Sequence, residues 1–304
     1  MKHVYPTWRA GLLAAALLLP GAAQAALKVF ACEPEWGALA REIGGDRVDV
    51  YVATTAMQDP HRIEARPSLI ARARSADLLV CTGAELEIGW LPVILGESGN
   101  RAIQAGRPGQ FFAADFVALR EKPAVLDRAA GDVHAAGNPH IQTDPRNIAR
   151  VGAALAERMA ALDPAGASIF RSRWADFSAR WTAAIARWEQ VAAPLKGTPV
   201  VVQHKAFPYL QAWLGLREVA VLEPKPGVEP SLASLAAVKQ RLAAQPAKLV
   251  IRAAYQPARP SEWIAAQAGV KAVVVPFTVG GDAQSGDLIG LFDSTVAKLL
   301  AGLK

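Results

Sequence analysis

Three histidines sit where a chain of parallel strands and helices would place chemistry. His61 lies in "QDPHRIEARPS" after the strand-like run "VDVYVAT", His140 lies in "GNPHIQTDP", and His204 directly follows "VVVQ". Loops at the carboxyl ends of parallel strands face a common crevice, so at least two of these side chains have a physical reason to point into one cleft. His61 and His140 each follow a proline, which restrains the backbone around itself and suits a ligand held in place before it is needed. A single histidine in such a turn more often caps or packs, but three of them point to a site. Three neutral imidazoles fit a borderline divalent cation, above all Zn2+, with a fourth position left for a carboxylate or a water molecule. The candidate carboxylate is Asp282 in "VVVPFTVGGDAQSGD", again just past an apolar run, while Asp287 reads as a helix cap. His134, in a stretch without periodicity, either collects metal weakly or plays no part.

These residues need a frame. Short apolar runs at 27–31, 48–54, 77–81 and 110–114 alternate with helical patterns, and the rhythm returns at 198–203, 217–223, 248–253 and 271–277. Segments such as "RPSLIARARSA" and "EPSLASLAAVKQRLAA" carry helical periodicity with proline near their starts. Strand, helix, strand in repeated order predicts parallel sheets with crossover helices, here in two sets. Between the sets, Phe170, Trp174, Phe177, Trp181, Ile185, Trp188 and Val191 are spaced by three and four, which makes one apolar helical face. Roughly 30 residues of helix would make a rod of about 45 Å. The expected architecture is therefore α/β: two parallel-sheet lobes, 26–162 and 196–304, joined by a spine helix over 163–195, with the metal site in the cleft between lobes. Residues 117–140 are the least regular part.

The first 25 residues stand apart. Lys2 and Arg9 precede a short apolar run and Ala23-Gln24-Ala25, the pattern of a cleavable secretory leader. The run is too short to span a bilayer. Without Lys2 and Arg9 the formal charge falls from +6 to +4, and no Lys/Arg run tracks phosphates, so nucleic acid is not an expected partner. Only two cysteines are present, Cys32 and Cys81, near the ends of predicted strands. Outside the cytoplasm they are open to forming one disulfide, or they are two small buried residues.

Two other function classes compete. A zinc hydrolase also uses three histidines and a water, and Glu64 in the His61 loop is the nearby general-base candidate. A binder of an organic ligand would line its cleft with Trp, Tyr and Arg, whereas Trp174, Trp181 and Trp188 lie at core spacing.

Together, "DPHRIEARPS", "GNPHIQTDP" and "HKAFPYL", in that order around a long helix and behind a leader, resemble the zinc- and manganese-binding solute-binding proteins of bacterial ABC importers. The resemblance covers essentially the whole mature chain. It implies a monomeric periplasmic receptor rather than an enzyme, with His61 and His140 from the first lobe and His204 and Asp282 from the second around the ion. It also implies delivery to a membrane permease and its ATPase. Histidine rather than glutamate before "KAFPYL" resembles the zinc branch; a manganese receptor of the same family is the alternative. Two departures stand out. Family members commonly carry an aspartate before the proline that follows the last strand, where this chain has Val275 before Pro276, so Asp282 or water is expected to substitute. The long His-rich loop of many zinc members is replaced by residues 117–139 with His134 alone, so loop-assisted metal capture is expected to be weak or absent.

Overall fold

The computed structural model describes residues 1, 3, 25–123, 131 and 133–304. The apolar run of the expected leader lies outside the described residues, as do 124–130 and 132 of the irregular segment. All eight expected strands are present: β1 Leu27–Ala31, β2 Val48–Val52, β3 Leu78–Cys81, β4 Gln110–Phe112, β5 Pro199–Val202, β6 Arg217–Val221, β7 Leu249–Ala253 and β8 Lys271–Val275. They form two four-stranded sheets, ordered β2-β1-β3-β4 and β6-β5-β7-β8, and every pairing is parallel. The two sheets thus share one topology although the sequence shows no repeat.

Alternation along the strands divides the core into three. Phe30 and Leu79 face outward onto Leu69 of α2 Pro67–Arg74, Ile94 of α3 Leu91–Ser98 and Trp90 just before α3. Val201, Val219 and Val250 face the opposite way in the second sheet, onto Leu235, Leu242 and Ile264 of α7 Leu232–Ala244 and α8 Ala258–Ala268. The inner faces, including Val29, Val80, Val202 and Ile251, join a single cluster that spans both sheets. Helices α1 Pro34–Gly44, α4 Pro145–Leu162, α5 Ala167–Val191 and α9 Leu288–Gly302 supply the rest of that cluster.

Helix α5 is the expected spine, but shorter. It runs 25 residues, because Pro164–Gly166 and Ala193–Leu195 close into 3-10 turns at its two ends. Phe170, Phe177, Trp181 and Trp188 are buried, Trp174 and Ile185 are half-buried, and Val191 is exposed where the helix leaves the core. It packs against α1 and α4 on one side and α9 on the other. The remaining helix, α6 Pro208–Leu214, follows His204. Direct bonds also cross between the lobes: Arg62 Nη2 donates to the Gly227 carbonyl at 2.7 Å, Asn138 Nδ2 to the Lys205 carbonyl at 2.7 Å, and Thr278 Oγ1 to the Glu35 carboxylate.

Candidate metal centre

The two Pro-His turns are the same local device. The residue before the proline accepts two bonds from the histidine: Asp59 Oδ1 takes the His61 backbone N–H at 3.0 Å and Nδ1 at 2.8 Å. Asn138 Oδ1 does likewise for His140, at 3.0 and 2.9 Å. This Asx arrangement fixes both the turn and the ring. Trp90 Nε1 donates to the Pro60 carbonyl at 2.9 Å and anchors the first turn to the neighbouring helix. His204 lies two residues beyond β5, and its Nδ1 meets Glu223 Oε2, two residues beyond β6, at 2.6 Å.

Each Nδ1 faces an oxygen acceptor, so in the neutral ring Nδ1 is the protonated nitrogen and Nε2 the one with a lone pair. The nitrogens then converge. His61, His140 and His204 bring ligand atoms within 4.8 Å of one another. Their ring centroids lie 5.2, 5.3 and 5.6 Å apart, and Nε2 of His61 and of His140 is buried without a hydrogen-bond partner. An apolar cluster of that kind would be filled by carbon, and a structural histidine would find an acceptor. Three imidazoles gathered this closely are able to hold a cation.

The electrostatics agree. Burial, and then the charges of His61, His204 and His134, hold the His140 imidazole well below its usual range, so it stays neutral and available as a ligand. Burial pushes the Asp59 carboxyl up, but the His61 hydrogen bond and charge outweigh it, and the net shift is downward. Carboxylates at Asp59 and Glu223 therefore stand behind two of the three imidazoles, as outer partners that orient the rings and offset the charge of a divalent ion.

Two small cavities flank the cluster. One, of about 180 Å3, is lined by Glu121, His134, Asn138, His140, His204 and Lys205. The other, of about 170 Å3, includes Asp59, His61, Arg62, Glu223 and Tyr255. A larger cavity, about 500 Å3, lies elsewhere, beside Arg41, Thr54, Arg173 and Asp287. No buried polar atom without a partner among the described residues lines it, so the histidine cluster remains the better candidate.

Asp282 corrects the expectation for the fourth ligand. It does not join the three imidazoles; its Oδ2 accepts from Lys298 Nζ at 2.5 Å and Ser294 Oγ at 2.6 Å, and its Oδ1 from the Ser285 backbone at 2.8 Å. Partial burial raises the carboxyl, but the Lys298, Ser294 and Ser285 hydrogen bonds overcome that and lower it strongly. Asp282 pins its loop to α9. Asp287 does cap that helix, accepting from Gly290 N at 2.7 Å. Glu64 is exposed and lines neither cavity beside the histidines. His134 is closer than its sequence context implied, its ring 5.4 Å from His61 and 6.5 Å from His140. The sequence reading did not single out Asp59 or Asn138, although each stands two residues before its histidine in "DPH" and "NPH"; Glu223 carried no signal beyond its place after a strand.

Residues 29–302 match the family described as zinc-uptake complex component A, periplasmic (ZnuA). The chain belongs to this family. Among its relatives, the high-affinity zinc uptake system protein ZnuA of Paracoccus denitrificans is 25% identical over 268 residues, 76% of this chain and 78% of the relative. The zinc-binding lipoprotein AdcA of Streptococcus pneumoniae is 23% identical over 199 residues, 64% of this chain; this chain spans 39% of AdcA. The fold is that of the substrate-binding protein FpvC of Pseudomonas aeruginosa, solved in complex with Mn2+. The TM-score is 0.75 at 23% identity, over 91% of this chain and 98% of the other. The three-histidine cluster of this member brings together loops that follow strands of both sheets.

Proposed function

We propose that this chain is a periplasmic receptor that binds Zn2+ through Nε2 of His61, His140 and His204 and delivers it to the membrane permease and ATPase of an ABC importer. The observation that carries the reading is the convergence of three outer-anchored imidazoles between the lobes. Water fills the fourth position. A set with three nitrogens and no carboxylate favours Zn2+ over Mn2+, which prefers oxygen. Residues 26–162 and 196–304 act as the two lobes, 163–195 as the link, and 1–25 as the leader removed on export; the receptor works as a monomer. The ion ties first-lobe His61 and His140 to second-lobe His204, and the spine limits closure to small local shifts.

Titration of metal-stripped protein against a chelator of known affinity tests this. Nanomolar Zn2+ binding with much weaker Mn2+ binding is expected. Micromolar or weaker Zn2+ binding, or preference for Mn2+, would overturn it.

A further inference from the structure

Parallel α/β sheets bind ligands in the crevice where the strand order reverses. In the second sheet that crevice lies between β5 and β7, and His204 stands in it. The same place in the first sheet, between β1 and β3, holds other metal-ligating chemistry. Cys32 follows β1, Cys81 ends β3, and the two form a disulfide 49 residues apart in sequence, Cα to Cα 4.8 Å. Both sulfurs and a Glu87 carboxylate oxygen lie within 4.8 Å of one another, fully enclosed. Glu87 is aimed there by backbone donors: Thr82 N at 2.7 Å and Gly83 N at 3.0 Å, the glycine at φ +77. Glu33 shares Thr82 with it, accepting from the Thr82 hydroxyl at 3.1 Å, and its other oxygen is buried with no hydrogen-bond partner.

We infer that reduction of Cys32–Cys81 opens a second, latent Zn2+ site in this crevice, with two thiolates and Glu87 as ligands and Glu33 as the group available for the fourth position. The reductant is a dithiol of the thiol–disulfide exchange class. It gives two electrons and two protons to the sulfurs and leaves as its own disulfide. Zn2+ then displaces the protons of both thiols and of the Glu87 carboxyl to solvent. Tetrahedral zinc with S and O ligands needs ligand atoms about 3.5–3.8 Å apart, so once the disulfide is reduced the two sulfurs must move apart from bonding distance, while the Glu87 oxygen already lies within 4.8 Å of both. The metal would replace the covalent link between the ends of β1 and β3, clasping the sheet when the disulfide is absent.

The test uses the full mature chain carrying His61→Ala, His140→Ala and His204→Ala, so that the three-histidine site is silent. Zinc is titrated with and without the non-thiol reductant TCEP, with Co2+ in parallel. We expect one zinc equivalent at least 100-fold tighter in the reduced than in the oxidised protein, and a thiolate-to-Co2+ charge-transfer band. The parent chain should go from one equivalent to two on reduction, and Cys32→Ser with Cys81→Ser should return it to one. Equal stoichiometry in both redox states, a second equivalent that survives the double serine substitution, no weakening in Glu87→Gln, or a reduced chain unfolded by circular dichroism would each overturn the inference. Because the first equivalent is read in the same titration of the parent, failure here is distinct from failure of the three-histidine site.

Discussion

The two switch-point crevices invite comparison because their strands are ordered identically and their contents are opposite. His204 stands two residues past β5, and Glu33 stands two residues past β1, so the positions correspond. In the second crevice the imidazole is anchored from behind by Glu223, and its free nitrogen is directed at two others from the facing lobe. In the first, Glu33, Glu35 and Glu87 are buried together and turned inward, onto Thr82, Thr278 and one another. One topology therefore yields a donor set open to a cation and, in the oxidised protein, a carboxyl cluster sealed by a disulfide. Topology supplies the crevice, and the residue type at its lip decides what the crevice does.

The sharpest break is at the corresponding pair. His204→Ala should weaken Zn2+ binding by at least 100-fold in chelator competition, while Glu33→Gln in the oxidised protein should leave it within about twofold. Similar losses in both would mean that the crevices act as one site. The next effect concerns the outer partner: Glu223→Gln keeps a hydrogen-bond acceptor for His204 but removes the charge, and should weaken Zn2+ binding about 10-fold or more. An unchanged affinity would reduce Glu223 to a surface contact.

The pH dependences of the two regions should run in opposite directions. Zinc affinity should fall as pH drops below about 6.5, because protons compete for the imidazoles. The carboxyl cluster has the reverse sign. Burial raises Glu35 and Glu87 each to about 7, so between their ordinary range near 4.5 and pH 7 the folded chain holds protons that the unfolded chain has lost. Their contribution to folding stability is fully present below about pH 4.5 and is lost as pH rises towards 7. His140, held low by burial first, opposes them: its contribution is present above about pH 6.5 and fades below it. Glu35→Gln should therefore flatten the metal-free urea-unfolding profile between pH 5 and 7.5 by about 2 kcal/mol relative to the parent, with the His140 effect common to both. No difference in slope between the two would remove Glu35 from the account.

The smallest expected change in zinc binding is at Asp282. Asp282→Asn should cost about 1 kcal/mol of stability through the lost Lys298 and Ser294 contacts and leave zinc affinity within about threefold. A tenfold or greater loss of affinity would return Asp282 to the metal set.

Much of this arrangement was legible along the chain. Eight apolar runs became eight strands, and the three-four spacing of Phe170 to Trp188 became the buried side of α5. The "DPH" and "NPH" turns were legible because their anchoring bonds span two residues, within reach of a local pattern. Glu223 was not, since its partner His204 is 19 residues away on a neighbouring strand end. Asp282 misled for the same reason: Ser294 and Lys298, one turn apart on α9, claim it, and the spacing of a loop residue to a helix face is invisible in a strand-end pattern.

The sequence alone determined which chemistry was available: imidazoles in backbone-fixed turns, an apolar rhythm of parallel strands, and too little charge clustering for a polyanion partner. These depend on residue type and short-range periodicity, which are written directly in the chain. Tertiary structure alone decided which groups meet. Sheet order placed Cys32 beside Cys81, brought three histidines from separate loops to one point, and shut three glutamates away from water. Those pairings join residues tens to hundreds of positions apart, and their energies depend on burial and on the partner present, which no local pattern records.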